Sequence, residues 1–493
     1  MNLLQKQGFF NSITLYLGVF LGFFNSIILF QRYLTLEEIG YFTLLIYIPL
    51  IYTQVSSLGF SSVITRYFPF YKTNDKAHGG FPSFVFLVIG AGFLVVTLGF
   101  FFFKEVIFSF YADKEDLSLM SKYHYYIIPV SFFSLVFLVQ QTLALTAYKS
   151  VFPTFLREVM IKIFTSIGVL MIVFKWIDFQ GFLNFYLIAN IIIVLIISWY
   201  NHRIKLFKIT AIGPEVKENA GPMMSYGLSS MISGSAIAAI TGLGLILLKM
   251  ISGEAMVGVY GTLTGIAMVI SLPAKALNTT SYQIIADAWK NEDLNRISKI
   301  YYKTSVIQLV IGILLLLGLI INQRNIVFLL HKPEYADFFN VFILLGCAYL
   351  VDITGGLNQA IISFSIHYKI VVRTLIFGAI LSGILNYFLI SRFGIVGAAW
   401  SYVLTMFFLN FVYWLYIKLK FKIQPFGKKH LFTLFIGGVC LLIGLNIPDL
   451  NNYYLDVILR STVVTIVYVS LTYWLNISED INELLDKVLK KKP

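Results

Sequence analysis

Charge is what this sequence has least of. Only 12% of its 493 residues are Asp, Glu, Lys or Arg, against about 25% in soluble domains, so the chain cannot clothe itself in an ordinary water-facing surface. Cysteine is scarcer: Cys347 and Cys440 alone, both inside apolar runs, which supports neither a disulfide framework nor a metal site. The six histidines (His78, His124, His202, His331, His367 and His430) stand singly in connections or at the ends of apolar runs. Solvated side chains are expected there, and no metal or other cofactor is called for. No Gly-rich loop ends in Gly-Lys-Ser/Thr, so direct ATP coupling within the chain is not expected. No nucleophile–base pair presents itself, and the longest connections, about 277–303 and 200–222, leave no room for a folded soluble domain. The acidic cluster Asp113-Lys114-Glu115-Asp116 resembles a sugar-nucleotide site only superficially and reads as a charged connection.

What is present is apolar sequence in long runs: 58% hydrophobic residues and a mean hydropathy of +0.82. A bilayer core takes about 20 apolar residues per helix, and unalternating runs argue against a barrel. The expected fold is therefore all-α and polytopic. Spans are predicted at roughly 10–31, 39–64, 82–103, 125–147, 159–176, 182–200, 223–248, 256–276, 304–322, 339–364, 374–391, 396–417, 431–447 and 457–476, fourteen in all. The first run is too long for a cleavable signal and is expected to stay as span 1. An even count puts both termini on one side. The N-terminus, the even-numbered connections and the tail hold 27 Lys and Arg against 10 on the opposite side, which makes that basic side, with both termini, cytoplasmic. The stretches Lys418-Leu419-Lys420-Phe421-Lys422 and Lys490-Lys491-Lys492 belong to the same signal and add attraction to anionic lipid. No nucleic acid is needed to explain a pI near 9.3. Residues 477–489 have apolar positions at helical spacing and predict a short surface helix.

Internal similarity points to transport. After span 1 the chain reads Leu36-Glu37-Glu38-Ile39-Gly40-Tyr41, and after span 7 it reads Glu254-Ala255-Met256-Val257-Gly258-Val259-Tyr260. Six spans separate the two, so the halves are expected as parallel repeats about an axis along the membrane normal. Three stretches then carry a family resemblance: Leu58-Gly59-Phe60-Ser61-Ser62-Val63-Ile64-Thr65-Arg66-Tyr67; Val257 to Tyr260 followed by Pro273 and Ala286-Asp287-Ala288-Trp289; and, most specifically, Asn386-Tyr387-Phe388-Leu389-Ile390-Ser391-Arg392-Phe393-Gly394-Ile395-Val396-Gly397-Ala398-Ala399-Trp400-Ser401. They resemble polysaccharide-unit (O-antigen) flippases of the multidrug/oligosaccharidyl-lipid/polysaccharide exporter superfamily.

The resemblance implies two six-helix lobes, 1–212 and 213–420, around a central cavity, with spans 13 and 14 in 421–476 and a cytoplasmic tail at 477–493. It implies outward flipping of undecaprenyl-pyrophosphate-linked oligosaccharide by alternating access across a bacterial inner membrane. The chain departs from it at Gly244-Leu245, where many relatives carry Asp-Arg. A second departure is Gly22-Phe23-Phe24-Asn25-Ser26, where lipid II flippases hold cations in span 1.

Such a carrier must shield sugars and two phosphates from hydrocarbon. Cations near the cavity would offset phosphate desolvation. Arg32 and Arg66 at the ends of spans 1 and 2, and Lys249 and Lys275 at the ends of spans 7 and 8, are the candidate substrate contacts; headgroup snorkelling is the competing role. Asp352, in the middle of span 10 just before Gly355-Gly356, is either a coupling acid for a proton or sodium or a structural hydrogen-bonded acid. Gln54, Gln140 and Asn386 are cavity polar candidates or interhelical glue.

The expected function is a non-enzymatic flippase of lipid-linked oligosaccharide for surface polysaccharide or lipopolysaccharide biosynthesis. Its partners would be the lipid-linked substrate, membrane lipids and polysaccharide assembly proteins. A cation-coupled multidrug-type antiporter is the first alternative. A membrane glycan polymerase or ligase is the second, disfavoured because the longest outer connection, near 104–124, is short for acceptor chemistry.

Overall fold

The computed structural model describes residues 3–73, 77–102 and 118–489. Asp113 to Asp116 and Lys490 to Lys492 lie outside them. Helices account for nearly all of the described residues, with no strand among them. In hydrocarbon each span must satisfy its own backbone, and a helix does so within one segment.

Twelve helices have the length and apolarity to cross a bilayer. One of them, Lys369–Phe421, is 53 residues long and turns at Gly394, whose φ of 54° and ψ of −133° are closed to most side chains; it contains predicted spans 11 and 12. A further helical run, 151–173, has spanning length but carries three charged residues. With it the fourteen predicted spans are all present as helix.

Several boundaries differ from the predicted ones. Span 2 ends at Ser56, because Leu58 and Gly59 both have positive φ, and a separate helix, Phe60–Tyr71, follows. Span 5 begins at 151, not 159, which draws Arg157 and Glu158 from a connection into the membrane. Span 10 stops at Thr354 and resumes as Asn358–Ser363 across Gly355-Gly356. The histidines are not uniformly solvated: His78 is fully buried, its Nδ1 accepting from the Thr73 N–H at 3.0 Å and its Nε2 lying 2.9 Å from the Lys205 carbonyl.

By contacts the chain forms two units, Met1–Gly261 and Thr262–Pro493. In the first, the two copies of the repeated motif pack on each other. A Cβ on Gly40 would collide with the Glu254 carbonyl oxygen; one on Gly258 would collide with the Leu36 carbonyl oxygen. The contact is reciprocal with a four-residue offset on each helix, as two equivalent helices crossing at a dyad require. At the other end of span 2, Gly59 meets the Gly227 carbonyl, and a Cβ on Gly227 would stand 2.7 Å from the Leu58 carbonyl. Span 8 thus crosses the start of span 2 at glycine, and span 7 lies along span 2 through Gly227, Gly234 against Gln54 and Gly242 against Ile51.

In the second unit, spans 13 (Lys428–Leu445) and 14 (Tyr453–Trp474) pack on span 9 (Leu294–Ile321) through Gly437 against Ile313 and Gly444 against Ile321. Buried Arg460 ties their ends, donating to Asp456 at 2.8 Å, Asp449 at 2.6 Å and the Ile447 carbonyl at 2.7 Å. The predicted tail helix is present as Glu479–Leu489, held by Asp480 on Lys303 at 3.0 Å and by the Tyr473 hydroxyl on Asp486 at 2.7 Å.

Leucine at Gly40 or at Gly258 forces the same crossing apart. Each single substitution is expected to cost about 1–3 kcal/mol, as overpacking does. The double variant should cost less than the sum, because one displacement relieves both clashes. Thermal unfolding of detergent-purified variants measures this; additive losses would mean the two glycines do not share a contact.

Candidate substrate site

Within the first unit, spans 1, 2, 4, 5 and 6 enclose a cavity of about 240 Å³, room for several waters. Two local departures from α-helix face it. Phe24–Leu29 of span 1 and Leu156–Met160 of span 5 are both π-helical turns, a widening often found where a helix presents functional side chains. Span 5 approaches span 1 at glycines: a Cβ on Gly18 would stand 2.7 Å from the Glu158 backbone oxygen, and one on Gly22 would touch the Lys162 side chain at 3.4 Å.

That approach brings charge against span 1 inside the helical packing. Lys162 Nζ lies 3.1 Å from Glu158 Oε2 and donates to the Gly18 carbonyl at 3.0 Å. Asn25 donates to the Lys162 carbonyl at 2.9 Å and accepts from Ser166 at 2.6 Å, fixing the π-turn of span 1. Arg157 lines the same cavity, its guanidinium 5.5 Å from the Phe137 ring centre, and it pairs with no carboxylate among the described residues. Ser26, Ser134, Tyr186 and Asn190 complete the polar wall. Two cations against one acid leave the cavity wall net positive.

Sequence reasoning did not find this site. Its signal was the triplet Arg157, Glu158 and Lys162 at i, i+1 and i+5 beside an apolar run. Extending span 5 one and a half turns upstream would have placed all three in the bilayer.

The residues singled out from sequence fall elsewhere. Lys249 and Glu254 form an ion pair at 3.2 Å with both side chains buried, and Glu254 also accepts from the N–H groups of Leu119 at 2.9 Å and Met120 at 2.7 Å. The carboxylate thus sits on a helix N-terminus, where the backbone dipole favours negative charge. Gln54 stands against Gly234 of span 7. Gln140 is buried and accepts from Asn201 at 2.7 Å. Arg66 is exposed, its guanidinium 4.5 Å above Tyr226, and Arg32 is exposed at the end of span 1.

In the second unit, Asn386 is buried and bonded to the Ser382 carbonyl at 2.8 Å. Asp352 accepts from Asn410 at 3.3 Å, with Lys275 within Coulombic reach. The structure pairs Lys249 with an acid that the sequence reading had not chosen. Among the described residues no group of three His, Cys, Asp or Glu could hold a metal.

This arrangement defines a polytopic helical membrane protein. Comparison with solved structures supports that fold. The chain superposes on a structure titled lipid II flippase MurJ, inward closed conformation, with a TM-score of 0.75 at 15% identity, covering 95% of this chain and 99% of that one. An inward-facing multidrug resistance MATE family transporter of the MOP superfamily aligns with a TM-score of 0.63 at 12% identity over 82% and 94% of the two chains. An outward-facing MATE transporter aligns at 0.58, 13% identity, over 85% and 96%. No protein-family model and no curated protein matches the sequence. The chain has the fold shared by these flippases and exporters.

Removing one partner of the buried Lys249–Glu254 pair strands the other. Glu254→Gln is expected to cost about 3 kcal/mol of stability, and adding Lys249→Met to restore most of it. Thermal unfolding reads both; a neutral single variant would mean the pair is solvated.

Proposed function

We propose that this protein is a flippase that carries a polyprenyl-pyrophosphate-linked oligosaccharide across the cytoplasmic membrane for surface polysaccharide or lipopolysaccharide assembly. Its lobes would open alternately to the two sides. The observation that carries this reading is the cationic cavity of Arg157 and Lys162, set midway along span 5 against the glycines of span 1. A diphosphate entering a bilayer loses hydration that only paired donors can replace. Arg157 supplies a planar fork of donors suited to phosphate oxygens. Lys162 supplies a point charge already balanced by Glu158, which a more strongly anionic group can displace. About 240 Å³ admits a headgroup and no glycan chain. The basic side, with most of the Lys and Arg, is the side from which such an anionic substrate would be collected.

Several features support the reading without deciding the cargo: the fold shared with a lipid II flippase, the repeated lobes, and the Gly394 turn in its glycan-flippase-like sequence. Cation-coupled export of a small molecule is the second reading, favoured by the likeness to MATE transporter structures. The two diverge in the cell. Deleting the gene should abolish long surface glycan and accumulate undecaprenyl-linked units. Intact glycan with altered drug susceptibility would select the antiporter.

At the site, Arg157→Gln and Lys162→Gln should each lower transport about 10- to 100-fold at equal membrane abundance, the loss of one charge-assisted hydrogen bond. Transport equal to wild type would remove the cavity from the mechanism. Arg66→Ala and Lys275→Ala distinguish cavity cations from topology markers by the same assay.

A further inference from the structure

The second unit holds a polar cluster whose chemistry is different from that of the cationic cavity. Asp352 lies deep in span 10, yet its side chain is exposed. An ionised acid at that depth faces water and polar partners, since lipid exposure costs at least about 2.5 kcal/mol. Its partners come from three directions. Asn410 of span 12 donates to it at 3.3 Å, and the Asn410 side-chain oxygen accepts from Asn358 at 2.9 Å. Lys275 and Tyr282, on the helix Leu272–Lys290, and Tyr413 of span 12 are all within its electrostatic reach.

The backbone is shaped around this group. Gly355 has no Cβ where Asn410 would collide with one, and Gly356 turns at a φ of 61°. The Thr354 carbonyl, left without a helical partner by the break, accepts from Ser305 at 2.7 Å. Nearby, Tyr349 and Tyr402 set their rings edge to face at 5.7 Å, and the buried Tyr413 hydroxyl has no hydrogen-bond partner among the described residues.

We propose that this cluster is a carbohydrate site, binding sugar hydroxyls of the translocated glycan; the inference rests on the flippase reading. A phosphate is disfavoured by the carboxylate. A metal cation needs a cage of oxygens, whereas here the Asn410 amide N–H already faces the acid. What remains is an adjacent set of acceptor, donors and aromatic faces in a wet setting, which suits hydroxyl groups that both give and take hydrogen bonds.

The test uses the full-length protein in lipid nanodiscs with two probes. One is free oligosaccharide released by mild acid from the lipid-linked units that a deletion strain accumulates. The other is farnesyl pyrophosphate, which has no sugar. Asp352→Asn and Asn410→Ala should each raise the oligosaccharide dissociation constant about tenfold, as loss of one hydrogen bond does, and leave farnesyl pyrophosphate binding within about twofold. Arg157→Gln should do the reverse. Asp352→Glu, retaining the acceptor, should keep part of the sugar affinity and controls for folding. Unchanged oligosaccharide affinity in a monodisperse Asp352→Asn, Asn410→Ala double variant overturns the site. So does wild-type protein that binds farnesyl pyrophosphate and no oligosaccharide, which leaves the flippase reading standing. Wild-type protein that binds neither probe overturns both.

Discussion

The contact on which the first unit depends is the crossing of Gly40 and Gly258. Two helices in lipid gain nothing from hydrophobic burial against each other that the acyl chains do not also offer, so close packing must hold them. Here the carbonyl of Leu36 occupies the space a side chain would take on Gly258, and the carbonyl of Glu254 does the same at Gly40. Because the same residue of each repeat makes the same contact, the geometry is a local dyad. Further contacts follow from that one closure. It delivers Glu254 to the N–H groups of Leu119 and Met120. It also sets Tyr41 where its hydroxyl donates to the Tyr123 carbonyl at 2.7 Å.

Once helices are fixed so closely, each charge in the bilayer must be resolved locally, and the chain does this in two ways. At Lys249, Glu254 and Arg460 every charge is buried with a complement of partners, and such groups lock elements together. Around Arg157, Glu158 and Lys162 the balance is left incomplete: two cations, one acid, and a cavity with room for solvent. The difference lies in what surrounds the group more than in residue type. A lysine on a helix end beside an acid is consumed by the fold. Lys162 is itself bonded to Glu158 and to the Gly18 carbonyl, so the charge left over on this cavity wall is that of Arg157.

These particulars explain how far the sequence could be read. Span number, helical class and the repeat were legible, because each is written in runs or spacings that one strand of sequence displays. The break at Gly355-Gly356 was legible too, since paired glycines beside an intramembrane acid admit few other roles. The start of span 5 was not. Arg157 and Glu158 look like a connection until a π-turn and the glycines of span 1 provide somewhere for them to go, and that is a tertiary fact. For the same reason Glu254 passed unnoticed as the partner of Lys249. The Gly253 turn between them, with a φ of 86°, folds back two neighbouring helix ends so that residues five apart meet. His78 misled in the opposite sense: its place in a polar connection suggested water, while the backbone carbonyl of Lys205, far away in sequence, buries it.

Span 5 also bears on what the shared fold can say. Superposition at 15% identity fixes the path of the helices and leaves the chemistry to side chains. In this chain span 1 offers Gly18, Gly22 and Asn25, and Lys162 arrives from span 5 into the space those small residues leave, bonding to the Gly18 carbonyl and to Glu158. A side chain at Gly18 would meet the Glu158 backbone and close that approach. The charges of span 5 and the small residues of span 1 are therefore one feature, and neither can be read from its own helix alone.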